Sequence, residues 1–128
     1  MLQTTCSVTS VEHVGPNIFV IGFHSPEIAS SAKPGQFLNI KVSDTFPPLF
    51  RRPFSVYHVE GETVKIILQV FGLGTQLLAE KHIGDSLDVL GPLGCGYTLT
   101  GNFETALLVA GGLGVAPFPF LLKNLSSN

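Results

Sequence analysis

The feature that most constrains the fold is a set of short segments in which apolar and polar residues alternate, separated by glycine or proline turns. In QFLNIKV, Leu38, Ile40 and Val42 share one face, and residues 63–71 (TVKIILQVF) repeat the pattern. Alternation with a period of two is typical of strands that bury one side. These segments therefore predict β structure rather than a helical bundle.

Other segments extend the same pattern. Residues 17–24 (NIFVIGFH) are apolar at nearly every position, as in a strand buried on both sides. Residues 53–59 (PFSVYHV) precede Glu60-Gly61, a plausible two-residue hairpin turn, and residues 86–94 (SLDVLGPLG) give one more short strand. Several short antiparallel strands at these spacings predict a small barrel or sandwich.

Composition limits the classes of protein that the chain can belong to. Its 128 residues suffice for one domain, and with 45% hydrophobic and 12% charged residues it is too apolar to be disordered. The net charge is −2 and no basic run occurs, which argues against a nucleic-acid binder. Cys6 and Cys95 form no CxxC and cannot supply a zinc or iron–sulfur site. A disulfide stays open, although two free thiols in a reducing cytosol are favoured.

No membrane segment or signal peptide is predicted. The first 15 residues lack a basic region followed by an apolar core, so we expect a cytoplasmic protein. Residues 106–122 are uncharged but slightly shorter than a bilayer span, and they contain three glycines and two prolines. A buried strand, a glycine loop and a helix start explain this stretch better.

The character of the chain changes near Asn102. Residues 105–110 predict a parallel-sheet strand, and a helix is expected from about Ala116 to Asn124 after a glycine-rich turn. This is how an α/β nucleotide-binding domain begins. We therefore divide the chain into a barrel, residues 1–100, and the first βα unit of a truncated α/β domain, residues 101–128.

The first candidate site contains both arginines of the chain, Arg51 and Arg52, at the mouth of a strand. A guanidinium suits phosphate, and Arg52 is followed by Pro53, Phe54 and Ser55. A planar cofactor with a phosphate tail needs such a set: a charge, an apolar surface and a hydroxyl. The alternative is a surface arginine pair before an ordinary strand.

The second candidate site is the turn that carries Gly72, Gly74 and Thr75, at the start of a short predicted helix from about Thr75. Glycines allow a phosphate to approach the backbone, and helix N-termini favour anions. Thr75 can cap the helix or donate to a phosphate oxygen. A plain capped turn explains the same residues.

The third candidate site follows an apolar run and contains Gly111, Gly112 and Gly114. Strand, glycine loop and helix is the context of a dinucleotide loop, although the spacing is not GxGxxG. A tight turn that serves only packing is equally open. The four histidines are scattered, and no nucleophile arrangement or metal-ligand spacing occurs. No catalytic residue and no metal site is therefore predicted.

In this order and at these distances, the three motifs resemble those of the ferredoxin-reductase superfamily of flavoproteins. The matching motifs are Arg-x-aromatic-Ser/Thr, Gly-x-x-Ser/Thr and a GGxGxAP-type loop. Together with PGQFLNIKVSD and GDSLDVLGPLG, they are most similar to the electron-transfer subunits of type B dihydroorotate dehydrogenases, enzymes of pyrimidine biosynthesis. The resemblance implies a Greek-key antiparallel barrel that binds FAD, followed by an NAD(P)-binding domain.

The resemblance also implies roles for individual residues. Arg52 would bind the FAD pyrophosphate, Ser55 would hydrogen-bond the isoalloxazine, and Phe54 would pack on the flavin or ribityl. The backbone of the next strand would run along the flavin, and the glycine turn would complete the phosphate site. The cofactor-binding residues so implied are Arg52, Pro53, Phe54, Ser55, Ile67, Leu68, Gln69, Gly72, Gly74 and Thr75, with Gly111, Gly112 and Gly114 on the nicotinamide side.

Departures from the family limit what the resemblance implies. The chain lacks the cysteine cluster that holds [2Fe–2S] in these subunits, and only one βα unit follows the barrel. We therefore expect FAD, an incomplete NAD(P) site and no iron–sulfur cluster. Expected partners are a dihydroorotate dehydrogenase catalytic subunit and a second copy of the chain. The alternative is a non-catalytic remnant that acts through subunit contacts.

Overall fold

The strands predicted from alternation form one antiparallel sheet. A computed structural model describes residues 1–45 and 50–126, and within them the sheet has seven strands in the order β4-β3-β7-β1-β2-β6-β5. The strands are β1 (Leu2–Gly15), β2 (Ile18–His24), β3 (Phe37–Lys41), β4 (Arg52–Ser55), β5 (His58–Glu60), β6 (Thr63–Gln69) and β7 (Ser86–Leu93). The helices are α1 (Pro26–Ser31), α2 (Leu73–Ala79) and α3 (Phe118–Ser126), with a 3-10 turn at Gly112–Val115.

The sheet curls because one short segment, residues 52–60, supplies both of its edge strands, β4 and β5. β4 pairs with β3, and the backbone N–H of Val56 donates to the Gln36 carbonyl at 3.0 Å. One residue later the N–H of Tyr57 donates to the Lys65 carbonyl at 2.9 Å, and β5 pairs with β6. β7 lies between β1 and β3, the long return expected of a Greek-key barrel. The predicted antiparallel barrel is thereby confirmed.

The predicted inward faces form the core. Leu38, Ile40 and Val42 are buried on β3 and just beyond it, and the same is true of Leu87 and Val89 on β7. Residues 20–23 of β2 are all buried, as their continuous apolar run predicts. The core cluster also includes Cys6, Val8, Ile28, Val56, Val59, Val64, Ile66, Leu68, Leu78 and Phe120. Cys6 and Cys95 are both free thiols, as favoured from the sequence.

Several boundaries differ from the sequence prediction. Residues 53–59 are two strands rather than one, because the chain passes from one sheet edge to the other at Val56 and Tyr57. Glu60 pairs with Thr63, so the hairpin turn is Gly61-Glu62, with Gly61 at a φ of 59°. α2 begins two residues before the expected start at Thr75. The 14-residue β1 was not predicted, since only its first half alternates clearly.

The predicted parallel strand at 105–110 is wrong. Within the described part of the chain, residues 94–111 contain neither helix nor strand, and nearly all of 101–111 is exposed. A parallel strand requires neighbours that accept its backbone hydrogen bonds. The described residues provide none beside this segment, so its apolar side chains stay in solvent.

The predicted helix is present, two residues later than expected at each end, and it packs on the barrel. α3 buries Phe120 and Leu121, whereas Phe118 is half-buried and Leu122 is exposed. The Nζ atom of Lys123 donates to the Val59 carbonyl on β5 at 2.6 Å. The helix therefore covers one edge of the barrel rather than the face of a parallel sheet. Residues 127–128 of the predicted second segment lie outside the described residues.

We predict that Ile66→Ala destabilises the fold far more than Ile83→Ala. Ile66 is 0% exposed at the centre of β6, whereas Ile83 is 73% exposed. Removing the buried side chain leaves a cavity and should lower the free energy of unfolding by about 2–5 kcal/mol. Urea denaturation of both variants measures the difference. Equal midpoints would contradict the assignment of the core.

Candidate functional site

A cavity of about 360 Å3 lies where β4 faces β6, at the point of barrel closure. Its volume is within the range of small-molecule sites, toward the lower end. Strand β4, the groove side of β6, the turn into α2 and the 3-10 region all contribute to its wall. The lining residues are Arg52, Pro53, Phe54, Ser55, Ile67, Gln69, Phe71, Thr75, Leu113 and Ala116. Residues from all three sequence motifs thus meet in one place.

The two adjacent arginines have different surroundings. Arg51 forms an ion pair with Asp88, with 2.9 Å between Nη2 and Oδ2, and both side chains are about three-quarters buried. Its Nη1 also donates to the backbone carbonyls of Asp88 and Asn39 at 3.1 and 3.4 Å. Arg51 therefore fastens the start of β4 to β7 and β3. Arg51 is therefore a structural residue, a role that the sequence alone did not assign to it.

Arg52 lines the cavity. Its Nη1 donates to the Phe50 carbonyl at 2.7 Å, and its side chain runs over Gly74 in the first turn of α2. A Cβ at position 74 would lie 3.2 Å from Arg52 Nε, which is tighter than an ordinary contact. The glycine allows the arginine side chain to lie across the turn. The first and second sequence motifs are therefore in direct contact.

The Thr75 hydroxyl holds the turn between β6 and α2. It accepts hydrogen bonds from the N–H groups of Phe71 and Gly72 at 3.2 and 3.3 Å. It donates to the Gly72 carbonyl at 3.1 Å. The sequence left two roles open for Thr75, capping the helix or donating to a phosphate oxygen. The structure shows the capping contact. The hydroxyl shapes the floor of the cavity where the turn approaches Arg52.

Strand β6 presents alternate side chains to the cavity. Ile67 and Gln69 line it, whereas Leu68 is buried in the core, so Leu68 can reach a ligand only through its backbone. Phe71 lies two residues beyond Gln69 on the same face, lines the cavity and is 88% exposed. Sequence reasoning did not assign Phe71 to the site, although the alternation of residues 63–71 placed it on that face.

The glycine-rich loop reaches the same cavity through its apolar residues. Leu113 and Ala116 line the wall, whereas Gly111, Gly112 and Gly114 do not. Gly112 has a φ of 56°, a left-handed conformation that favours glycine, and the 3-10 turn that starts there contacts β6. The glycines thus shape the turn, and Leu113 and Ala116, which the sequence did not single out, provide the contact surface.

The cavity combines one cation with mostly apolar walls. Arg52 is the only charged residue among those described as lining it, with Ser55, Gln69 and Thr75 as polar groups. Such a site suits an anionic group attached to a flat apolar ring. Among residues 1–45 and 50–126, no three His, Cys, Asp or Glu side chains are grouped to hold a metal ion. No helix in those ranges is long and apolar enough to cross a bilayer.

The histidines lie elsewhere, as expected from their scatter. His58 is half-buried on β5, next to Val59, whose carbonyl accepts a hydrogen bond from Lys123 of α3. Burial lowers the pKa of His58, and the nearby Lys123 ammonium lowers it further. His58 is not among the residues that line the cavity.

Two curated relatives illustrate what the sequence matches. The dihydroorotate dehydrogenase B (NAD(+)) electron transfer subunit of Bacillus pumilus is 41% identical, over 98% of this chain and 50% of that protein. The subunit of the same name from Desulforamulus reducens is 37% identical, over 94% of this chain and 47% of that protein. The chain thus spans about half the length of these relatives. No protein-family model matches it.

Solved structures share the fold. The NADH-dependent reduced ferredoxin-NADP oxidoreductase matches 73% of this chain and 34% of its own, with a TM-score of 0.67 and 27% identity. A cytochrome P450 reductase from Amycolatopsis matches 98% of this chain and 39% of its own, with a TM-score of 0.83 and 18% identity. Over nearly its whole length the chain is therefore a relative of the dihydroorotate dehydrogenase B electron transfer subunits, with the fold of ferredoxin-reductase-like flavoproteins.

Proposed function

We propose that the chain is an FAD-binding module that passes electrons between the flavin and a nicotinamide nucleotide or a partner subunit. The observation that carries this proposal is the cavity between β4 and β6, in which the Arg52–Ser55 motif faces Ile67 and Gln69. The names of the relatives support electron transfer as the role. The chain spans about half the length of these relatives, so their electron-transfer activity is proposed for this chain rather than established.

The residues of the cavity fit FAD by their chemistry. Arg52 supplies a planar cation for the pyrophosphate, beside the glycine turn across which its side chain lies. Phe54 and Ile67 supply an apolar surface for the isoalloxazine, and Ser55 supplies a hydroxyl at the other end of the motif. In this proposal Pro53 and the backbone of residues 67–69 complete the flavin side, while Gly72, Gly74 and Thr75 form the phosphate side.

The protein would bind and orient the cofactor, and the flavin would supply the redox chemistry. Arg52 would neutralise the pyrophosphate and fix the position of the dinucleotide. Ser55 can donate to or accept from a heteroatom of the ring. Leu113 and Ala116 would exclude water from the side toward the glycine loop. There Gly111, Gly112 and Gly114 would set the loop shape against which a nicotinamide could lie.

Partners follow from the names of the relatives and from the exposed surface. We infer that a dihydroorotate dehydrogenase catalytic subunit is the electron-transfer partner, in the cytoplasm, as part of pyrimidine biosynthesis.

Exposed Leu107 and Val109 favour a second candidate function, a non-catalytic remnant that acts through subunit contacts. FAD binding distinguishes the two. A purified chain that is colourless and takes up no added FAD supports the remnant.

We predict that Arg52→Ala weakens FAD binding by about tenfold or more, because charge-assisted hydrogen bonds to the pyrophosphate are lost. Titration of the chain with FAD, followed by flavin fluorescence, gives the dissociation constant. Thermal unfolding without FAD should change little, since within residues 1–45 and 50–126 the Arg52 side chain donates a hydrogen bond only to the Phe50 carbonyl.

The matched control is Arg51→Ala. This variant removes the same charge one residue away but breaks the pair with Asp88, so its main effect should be lower stability in urea. Its effect on FAD affinity should be clearly smaller than that of Arg52→Ala. If both variants bind FAD equally well, the assignment of the motif fails.

We also predict that this chain alone oxidises NADH and NADPH slowly, even when saturated with FAD. Within the described residues, the only regular elements after β7 are the 3-10 turn and α3, which leave little surface for a second nucleotide. Nucleotide oxidation followed by absorbance, with free FAD as the baseline, measures the rate. Rapid steady-state turnover with either nucleotide would contradict the incomplete nicotinamide site.

A further prediction concerns self-association. Leu107 and Val109 are 88% and 80% exposed, and burying such side chains is favourable by roughly 1.5–3 kcal/mol each. We therefore expect a dimer in light scattering, and a monomer when both residues are changed to serine. Ile83→Ser, at another exposed apolar position, is the control. A monomeric parent chain would rule out the homodimer.

A further inference from the structure

Phe71 is an exposed aromatic residue at the edge of the proposed FAD site. Its side chain is 88% exposed, yet it lines the same cavity as Arg52 and Ser55. A large apolar side chain so open to water gains nothing from the fold itself. On a cavity wall, such a ring is available to a ligand.

The backbone holds Phe71 in a defined place. Its N–H donates to the Thr75 hydroxyl at 3.2 Å, and the same hydroxyl accepts from Gly72. Phe71 therefore stands at the end of the cavity where the turn and Arg52 lie. Along an extended chain it is roughly 13 Å from Ile67, four residues earlier, where the proposal puts the flavin ring.

FAD has two flat rings joined by the pyrophosphate. With the isoalloxazine beside Ser55 and Ile67 and the pyrophosphate at Arg52, the ring at the far end is the adenine. We propose that Phe71 stacks on this adenine and lets the chain prefer FAD to FMN, which lacks it. This inference rests on the proposed function. Stacking of a purine on an aromatic side chain is worth enough to change affinity about tenfold.

The test compares two flavins on the same variants. Dissociation constants for FAD and for FMN are measured by fluorescence titration for the parent chain, Phe71→Ala, Phe71→Leu and Phe71→Trp. We expect Phe71→Ala and Phe71→Leu to weaken FAD binding about tenfold and to leave FMN binding within about twofold. Phe71→Trp should keep FAD binding, because it keeps a stacking surface. The control is Phe103→Ala, because Phe103 is also an exposed aromatic residue, at 53%, but lies outside this cavity.

The outcomes separate this inference from the proposed function. A parent chain that binds neither flavin overturns both. A parent chain that binds FAD while Phe71→Ala binds it equally well overturns the stacking role alone. Equal losses for FAD and FMN mean that the ring contacts the isoalloxazine or the shared phosphate, and the adenine assignment is then wrong.

Discussion

Closure of the sheet by residues 52–60 is the constraint on which the rest of the molecule depends. This segment pairs with β3 at its start and with β6 at its end, and it crosses between them at Val56 and Tyr57. Because only two residues make the crossing, β4 is held beside β6. The cavity lies between these strands. The same hydrogen bonds that close the barrel therefore build the candidate site.

The arginine pair shows how neighbouring like charges can have separate tasks. Successive side chains of an extended segment point in opposite directions, so one arginine turns to the sheet and the other to the cavity. Arg51 meets a carboxylate and two carbonyls across β3 and β7, which offsets the cost of its partial burial. With Arg51 held there, the backbone of Arg52 starts β4 from a fixed point. In the proposed function, the structural arginine thus makes the ligand-binding one more rigid.

The sequence predicted the barrel and its inward faces because alternation reports burial directly. Leu38, Ile40 and Ile66 needed no knowledge of their neighbours to be placed inside. The wall of the site was harder to predict. Phe71 was assigned to a face but not to a function. In the third motif, the sequence assigned the glycines to the site and not Leu113 and Ala116, which line it. Which residues of different segments line one cavity depends on closure, and closure involves contacts distant in sequence.

The tail of the chain shows why one prediction failed where its neighbour succeeded. Residues 105–110 and α3 are both apolar, but a helix satisfies its backbone hydrogen bonds within itself, whereas a strand requires a partner. α3 therefore forms and buries Phe120 and Leu121 on the nearest available surface, the edge of the barrel. The segment before it has no such option within the described residues. Its sequence has the composition of a strand, but adopting that structure depends on a neighbouring strand that the described part of the chain does not provide.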